Sequence, residues 1–243
     1  MSRHGDALKS IRENIDKYGY HLYVVTGGVV PRYAYTIGLT ESGAAAELMF
    51  AGGMVYLARD VELIVSKAVQ GVRGNSFSAG MSFDVENLGS FKLQEMDQGW
   101  VTPLALGALD YYPERSIRML QIVPDEAHRT IDVPDMLRAL DDGESSPWQW
   151  LWRPWEYPIP DDATATTNLD ALKGAVVTEA ARWEPGEWEL FAGAGPDVNK
   201  ADIRVVPIGT LLALDPTLTP VVELEVGKAL WRDEVDRVWQ EWG

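Results

Sequence analysis

No cysteine occurs among the 243 residues of the chain. Disulfides, thiolate metal sites, iron–sulfur clusters and cysteine nucleophiles are therefore excluded, and a reducing compartment is compatible. Histidine is scarce, with only His4, His21 and His128. No His-x-x-x-His, Glu-x-x-His or Asp-x-Asp-x-Asp spacing occurs, so neither a metal nor a cofactor is expected. Every apolar run falls short of the roughly 18 residues that span a bilayer. The opening MSRHGDALKSIRENIDKYG lacks the apolar stretch of a secretory signal. The bacterial cytoplasm is the expected location, with no membrane partner. Phosphate-binding signals are missing too: no Gly-x-Gly-x-x-Gly opens a helix, and no Lys-Ser or Lys-Thr follows GVRGNSFSAG. FAGAGPD has a Gly-x-Gly after a strand, but Pro196 and Asp197 follow, and an acidic residue there opposes a phosphate. No Gly-x-Ser-x-Gly elbow is present.

Positive charge is also in short supply, and unevenly so. Lys and Arg number 21 against 37 Asp and Glu, a net charge of −16. Residues 1–123 carry 11 basic against 13 acidic side chains, whereas residues 124–243 carry 10 against 24, so the second half holds −14 of the total. Such a surface repels phosphate backbones, disfavouring nucleic acid as a partner, and attracts basic proteins. Tryptophan follows the same division, with nine of ten after position 147.

An apolar fraction of 46% supplies a core, and the patterning predicts an α+β chain. Leu8, Ile11, Ile15 and Tyr18 recur at helical spacing and stop at Gly19. YHLYVVTGGVV and RYAYTIGL read as a hairpin over 20–39 turned by Gly27-Gly28. DVELIVSKAVQGV has helical periodicity. MSFDVENLGSFKLQEM reads as two strands around Asn-Leu-Gly, VTPLALGALDYY as a helix and SIRMLQIVPD as a strand. DMLRALDDGESS predicts a short helix ending in an acidic turn. PWQWLWRPWEYPIP then places four Trp and four Pro within fourteen residues, too much proline for a helix or central strand. Beyond it, KGAVVTEAAR, GEWELFAG and TPVVELEVGKALWRDE read as strands, with Trp188 and Leu190 on one side of the second, and DIRVVPIGTLLALDP as an apolar loop through Pro207-Ile208-Gly209. The expected organisation is two small domains, each a mostly antiparallel sheet with packed helices. One spans 1–125, a Trp/Pro-rich connector spans 126–168, and the second domain spans 169–243.

Residues able to do chemistry are few. His21 opens the first strand and Glu47 follows the second, near Glu41, a pair that acid–base work at a cleft around 20–48 would need. The competing readings are a strand histidine bonded to backbone and a surface carboxylate on a polar turn. His128 lies in the polar loop PDEAHRT, where solvation accounts for it.

The motifs NIDKYGYHLYVV, PRYAYTIGL, AELMFAGG, ALDYY and MLQIVPD resemble the bacterial domain-of-unknown-function family 4262 over residues 10–125. That resemblance implies a fold and no activity. In that family a Pro-Trp pair follows the Pro-Asp closely, and here EAHRTIDVPDM departs from it. AVVTEAARWEPGEWELFAGAGPD and DIRVVPIGTLLALDPTLTPVVELEVGKALWRDE are similar, over about residues 172–238, to the domain-of-unknown-function family 2185. That family comprises immunity proteins of bacterial polymorphic toxin systems. The resemblance implies a protein that binds and neutralises a cognate toxin by occlusion. The toxin would be a basic protein, and candidate contacts are Trp148, Trp152, Trp155, Trp183, Glu184, Glu187, Glu189 and Asp197. Three readings stay open: such a binding module, an enzyme using His21 and Glu47, and an acidic mimic of nucleic acid.

Overall fold

In the computed structural model, residues 3–74, 78–113, 115–140 and 146–242 are described. The first half comprises α1 (Arg3–Tyr18), β1 (His21–Val25), β2 (Tyr33–Ile37), β3 (Glu47–Ala51), α2 (Ala58–Arg73), β4 (Ser82–Val85), β5 (Gly89–Glu95), α3 (Val101–Leu104), α4 (Leu106–Tyr111) and β6 (Met119–Pro124). The second comprises β7 (Thr164–Asn168), α5 (Leu169–Leu172), β8 (Glu179–Glu184), β9 (Glu187–Phe191), β10 (Ile203–Pro207), α6 (Ile208–Leu214), β11 (Lys228–Trp231) and β12 (Gln240–Glu241). This is an α+β chain with two six-stranded sheets, ordered β1-β2-β3-β6-β5-β4 and β10-β7-β9-β8-β11-β12. Both are antiparallel except for one pair each, β3–β6 and β7–β9.

The first sheet is walled on both faces. α2 buries Val61, Ile64, Val65, Ala68, Val69 and Val72 at helical spacing. That stripe packs on Leu48, Phe50, Phe91, Leu93, Leu120 and Ile122. The opposite face carries Tyr35, Ile37, Met49 and Met119 under Ile11 of α1, Leu104 of α3 and Ala108 of α4. The second sheet is covered on one face only. Ala165, Ala180, Trp188, Leu190 and Val206 pack against Leu211 and Leu212 of α6 and Leu218, Val221 and Val222 of the 3-10 turn that follows.

The connector is a seam between the halves. Asp132 is fully buried; its Oδ2 accepts the Met54 N–H at 3.2 Å and its carbonyl accepts the Trp148 Nε1–H at 2.8 Å. Burial pushes the Asp132 carboxyl up and the nearby Arg32 guanidinium down. Gly52, at φ +72°, lies so close that a Cβ there would stand 2.2 Å from the Asp132 carbonyl oxygen. The Met54 side chain enters the second core, and Arg204 of β10 donates from Nε to the Met54 carbonyl and from Nη2 to that of Val55, at 2.9 and 2.7 Å.

Several expectations change. β3 was not anticipated, because AAAELMFA is buried on both sides of the sheet and so lacks alternation. β7 lies inside the stretch assigned to the connector, since TATTN is polar yet β-branched and fits a strand. Residues 208–214 form α6 rather than a loop, and 216–223 a 3-10 turn rather than part of a strand. Residues 135–140 form turns instead of a helix, and the acidic turn at 141–145 lies outside the described residues.

Candidate binding groove on the second sheet

The open face of the second sheet follows from alternation. Glu179, Ala181 and Trp183 of β8 point away from the core that takes Ala180, as do Glu187, Glu189 and Phe191 of β9. Between Ala181 and Glu184 the register shifts by one residue, a bulge in β8. Arg182 turns inward there, its guanidinium 4.4 Å from the Trp188 ring and bonded to the Leu224 carbonyl at 2.8 Å. Trp183 turns outward and donates its Nε1–H to Glu189 Oε2 at 2.8 Å. Alternation alone gives both of these directions; the bulge instead sets Glu184 on the outer face as well, opposite Glu187. Trp183, Phe191, Ile203, Pro196 and Trp242 then line a groove of about 510 Å³ with Glu179 and Glu189 at its sides. Trp183 and Trp242 are 52% and 55% exposed, and Val205 and Trp231 extend the same apolar face at 58% and 40%.

Both groove carboxylates are held in place. Glu179 Oε2 accepts the Gly195 N–H at 2.7 Å, and Glu189 Oε2 accepts the Trp183 indole. Glu184, Glu187 and Asp197 are exposed around them. Among the described residues, none of these five carboxylates forms an ion pair with a basic side chain. Of the expected contact residues, the structure brings Trp183 and Glu189 together in the groove, and Glu184, Glu187 and Asp197 lie on the exposed segments beside it. Phe191, Trp242, Glu179 and Ile203 were missed. For Glu179 the signal was available in EAARWE, whose two-residue period sets it on the Trp183 side.

The connector tryptophans lie elsewhere. Trp148, expected at a partner surface, is 0% exposed; it packs on Tyr33 and Trp100 and completes the first core. An indole with a buried carbonyl for its N–H gains more from the core than from solvent. Trp152 is half-buried against the same core. Trp155 is half-buried against the second core, edge-on to Trp150 and Tyr157 with ring centroids 5.0 Å away in each case. A larger cleft of about 650 Å³ runs beside that cluster, lined by Trp150, Arg153, Tyr157, Leu212 and Val222. It marks where the connector lies on α6; the Trp150 and Trp155 N–H groups are spent on the carbonyls of Gly209 and Ile159.

His21 and Glu47 are not brought together. His21 pairs with Ile37 across β1–β2, while Glu47 lies on β3, so β2 runs between them. Two strand spacings put their backbones about 9 to 10 Å apart. Asn14 Nδ2 bonds His21 Nδ1 at 2.9 Å, and burial pushes the imidazole down from its ordinary range. Glu47 is 0% exposed, not on a surface turn. Its carboxylate accepts the Thr36, Thr40 and Tyr112 hydroxyls and the Gly38 and Thr40 N–H groups, all within 3.2 Å. Gly38, at φ +102°, makes room for Ile15, which a Cβ would meet at 2.6 Å. Burial raises the Tyr112 phenol, so it stays a donor to Glu47. The cluster pins the turn after β2 and offers nothing to a substrate. His128 bonds Asp125 Oδ1 through Nδ1 at 2.7 Å, closing a 3-10 turn. Among the described residues no three His, Asp or Glu side chains are placed to hold a metal ion, and no helix is long and apolar enough to cross a membrane.

Comparison with known proteins bears on the first half. Residues 14–130 match the family described as Domain of unknown function (DUF4262). The matched segment takes in the whole first sheet, α2, α3 and α4, only the last turn of α1 from Asn14 on, and the Asp125–His128 turn, and it stops just before Asp132. No comparison shows the expected similarity of the second half to family 2185. No curated protein and no solved structure matches the chain.

Proposed function

We propose that the protein is a cytoplasmic binding module of the immunity type, which neutralises a basic protein toxin by covering it with the open face of the second sheet. The observation that carries this reading is the groove itself, an apolar trough between exposed tryptophans, flanked by carboxylates that pair with no basic side chain of the described chain. Monomeric proteins keep large apolar patches covered unless something binds there. Exposed Trp with a polar rim matches the anatomy of an interface hot spot. The excess negative charge of the second half would speed the approach of a basic partner and weaken with salt. A nucleic-acid mimic would need a longer row of carboxylates; on β9 the row holds Glu187 and Glu189 and ends at Phe191.

The test is co-expression with the toxin domain encoded beside the gene. Growth should be rescued by the wild-type chain and lost with Trp183→Ala, while the purified variant keeps its thermal unfolding. Rescue that is indifferent to Trp183, or no rescue at all, would overturn the reading.

A further inference from the structure

We infer that the groove is an arginine receptor: its occupant is an arginine side chain of the partner, laid against the Trp183 indole with its guanidinium between Glu179 and Glu189. This rests on the proposed binding module and names the chemistry by which that module would grip. Ala181 pairs with Glu189 and Glu179 with Phe191, so the two glutamates are diagonal neighbours across β8 and β9. Diagonal side chains on one face sit about 7 to 8 Å apart, close enough for two like charges to repel. Each has one oxygen fixed, by Gly195 N–H and by the Trp183 indole, so the second oxygen of each is left for an incoming donor. Trp183 has already spent its N–H, so what it offers a guest is its ring face.

Those features select among side chains. An apolar plug would strip water from two carboxylates and return no hydrogen bonds. A carboxylate guest would add a third negative charge. Lysine supplies charge but no planar surface, whereas a guanidinium stacks on an indole and donates in its own plane to acceptors on either side. The methylene stem of the same residue suits the apolar floor of Phe191, Ile203 and Pro196.

The probe is N-acetyl-arginine methylamide, followed through the Trp183 indole N–H resonance, which is assigned by its loss in Trp183→Phe. Binding should move that resonance, because it reports the hydrogen bond to Glu189. The neutral, nearly isosteric citrulline compound should bind about ten-fold more weakly, and Glu179→Gln and Glu189→Gln should each weaken the arginine compound several-fold. Both variants keep side-chain size at the groove's edge, and an unchanged amide spectrum confirms that they fold. Equal binding of arginine and citrulline compounds, or no movement of the Trp183 resonance, overturns the inference. The two proposals fail separately. A toxin captured equally well by the Glu179→Gln/Glu189→Gln double variant sinks the arginine anchor and leaves the binding module standing. No capture by the wild-type chain, with the arginine preference intact, sinks the immunity reading alone.

Discussion

The two sheets have six strands each and one parallel pair each, yet they treat tryptophan and charge in opposite ways. The first sheet is sealed between α2 on one side and α1, α3 and α4 on the other, and it draws Trp148 out of the connector to finish the seal. Even its buried carboxylate, Glu47, is saturated by donors from its own half. The second sheet buries Trp188 on one face, with its Nε1–H on the Val221 carbonyl at 3.1 Å, and leaves Trp183 on the other at 52% exposure. Adjacent positions in paired strands therefore face opposite environments. A covered sheet spends its large side chains on stability, while a half-covered one keeps some in reserve for contact with another molecule.

That contrast can be broken by substitution. The largest loss is expected from Trp148→Ala, which empties a fully buried site and orphans the Asp132 carbonyl; it should cost about 3 to 5 kcal/mol in urea unfolding. Next comes Gly52→Ala at the seam. A left-handed backbone alone costs about 1 to 2 kcal/mol for an L side chain, and the collision with Asp132 adds to it, so the melting temperature should fall by several degrees.

A smaller effect, dependent on pH, is expected within the second half at the Arg232–Asp215 pair. Arg232 is buried and its Nη2 donates to Asp215 Oδ2 at 2.7 Å. Burial alone would raise the Asp215 carboxyl, but the Thr217 hydroxyl and the Arg232 guanidinium outweigh it and hold it below the ordinary carboxylate range. The folded value lies below the unfolded one, so this stability is fully present above about pH 4 and is lost as pH falls through the folded value. Asp215→Asn should cost about 1 to 2 kcal/mol at pH 7, toward the low side because the carboxylate keeps some contact with water, and the gap from wild type should shrink in acid. Urea unfolding at both pH values measures it.

The least effect on stability is expected from Trp183→Ala on the open face, within about 0.5 kcal/mol of wild type. A loss comparable to that of Trp148→Ala would mean that Trp183 is core, and the comparison between the two sheets would collapse.

What could be read in advance divides along the same line. The hairpin at 20–39 and the β4–β5 hairpin were legible because Gly27-Gly28 and Asn-Leu-Gly announce turns between alternating runs. Trp188 and Leu190 were placed correctly by their two-residue period. β3 was hidden by burial on both faces, and α6 by the Pro207 that precedes it, which reads as a loop but is the residue before the helix. Trp148 was named a candidate contact because it stands in the acidic, tryptophan-rich half, where packing within the chain was the other reading, and nothing local reveals that Asp132, 16 residues earlier, offers it a carbonyl. The groove was half legible: its acidic and aromatic residues stand out on one face by alternation, but the groove is completed by Ile203 and Trp242, which join from distant parts of the chain.

The seam has a consequence in time. Arg204 closes over the carbonyls of Met54 and Val55 across sequence separations of 150 and 149 residues. At ordinary rates of synthesis, 5 to 20 residues per second, that latch emerges about 8 to 30 s after the loop it fastens. For that interval the nascent first half carries Met54 without the core that will receive it. The half made later therefore shields an apolar side chain of the half made earlier.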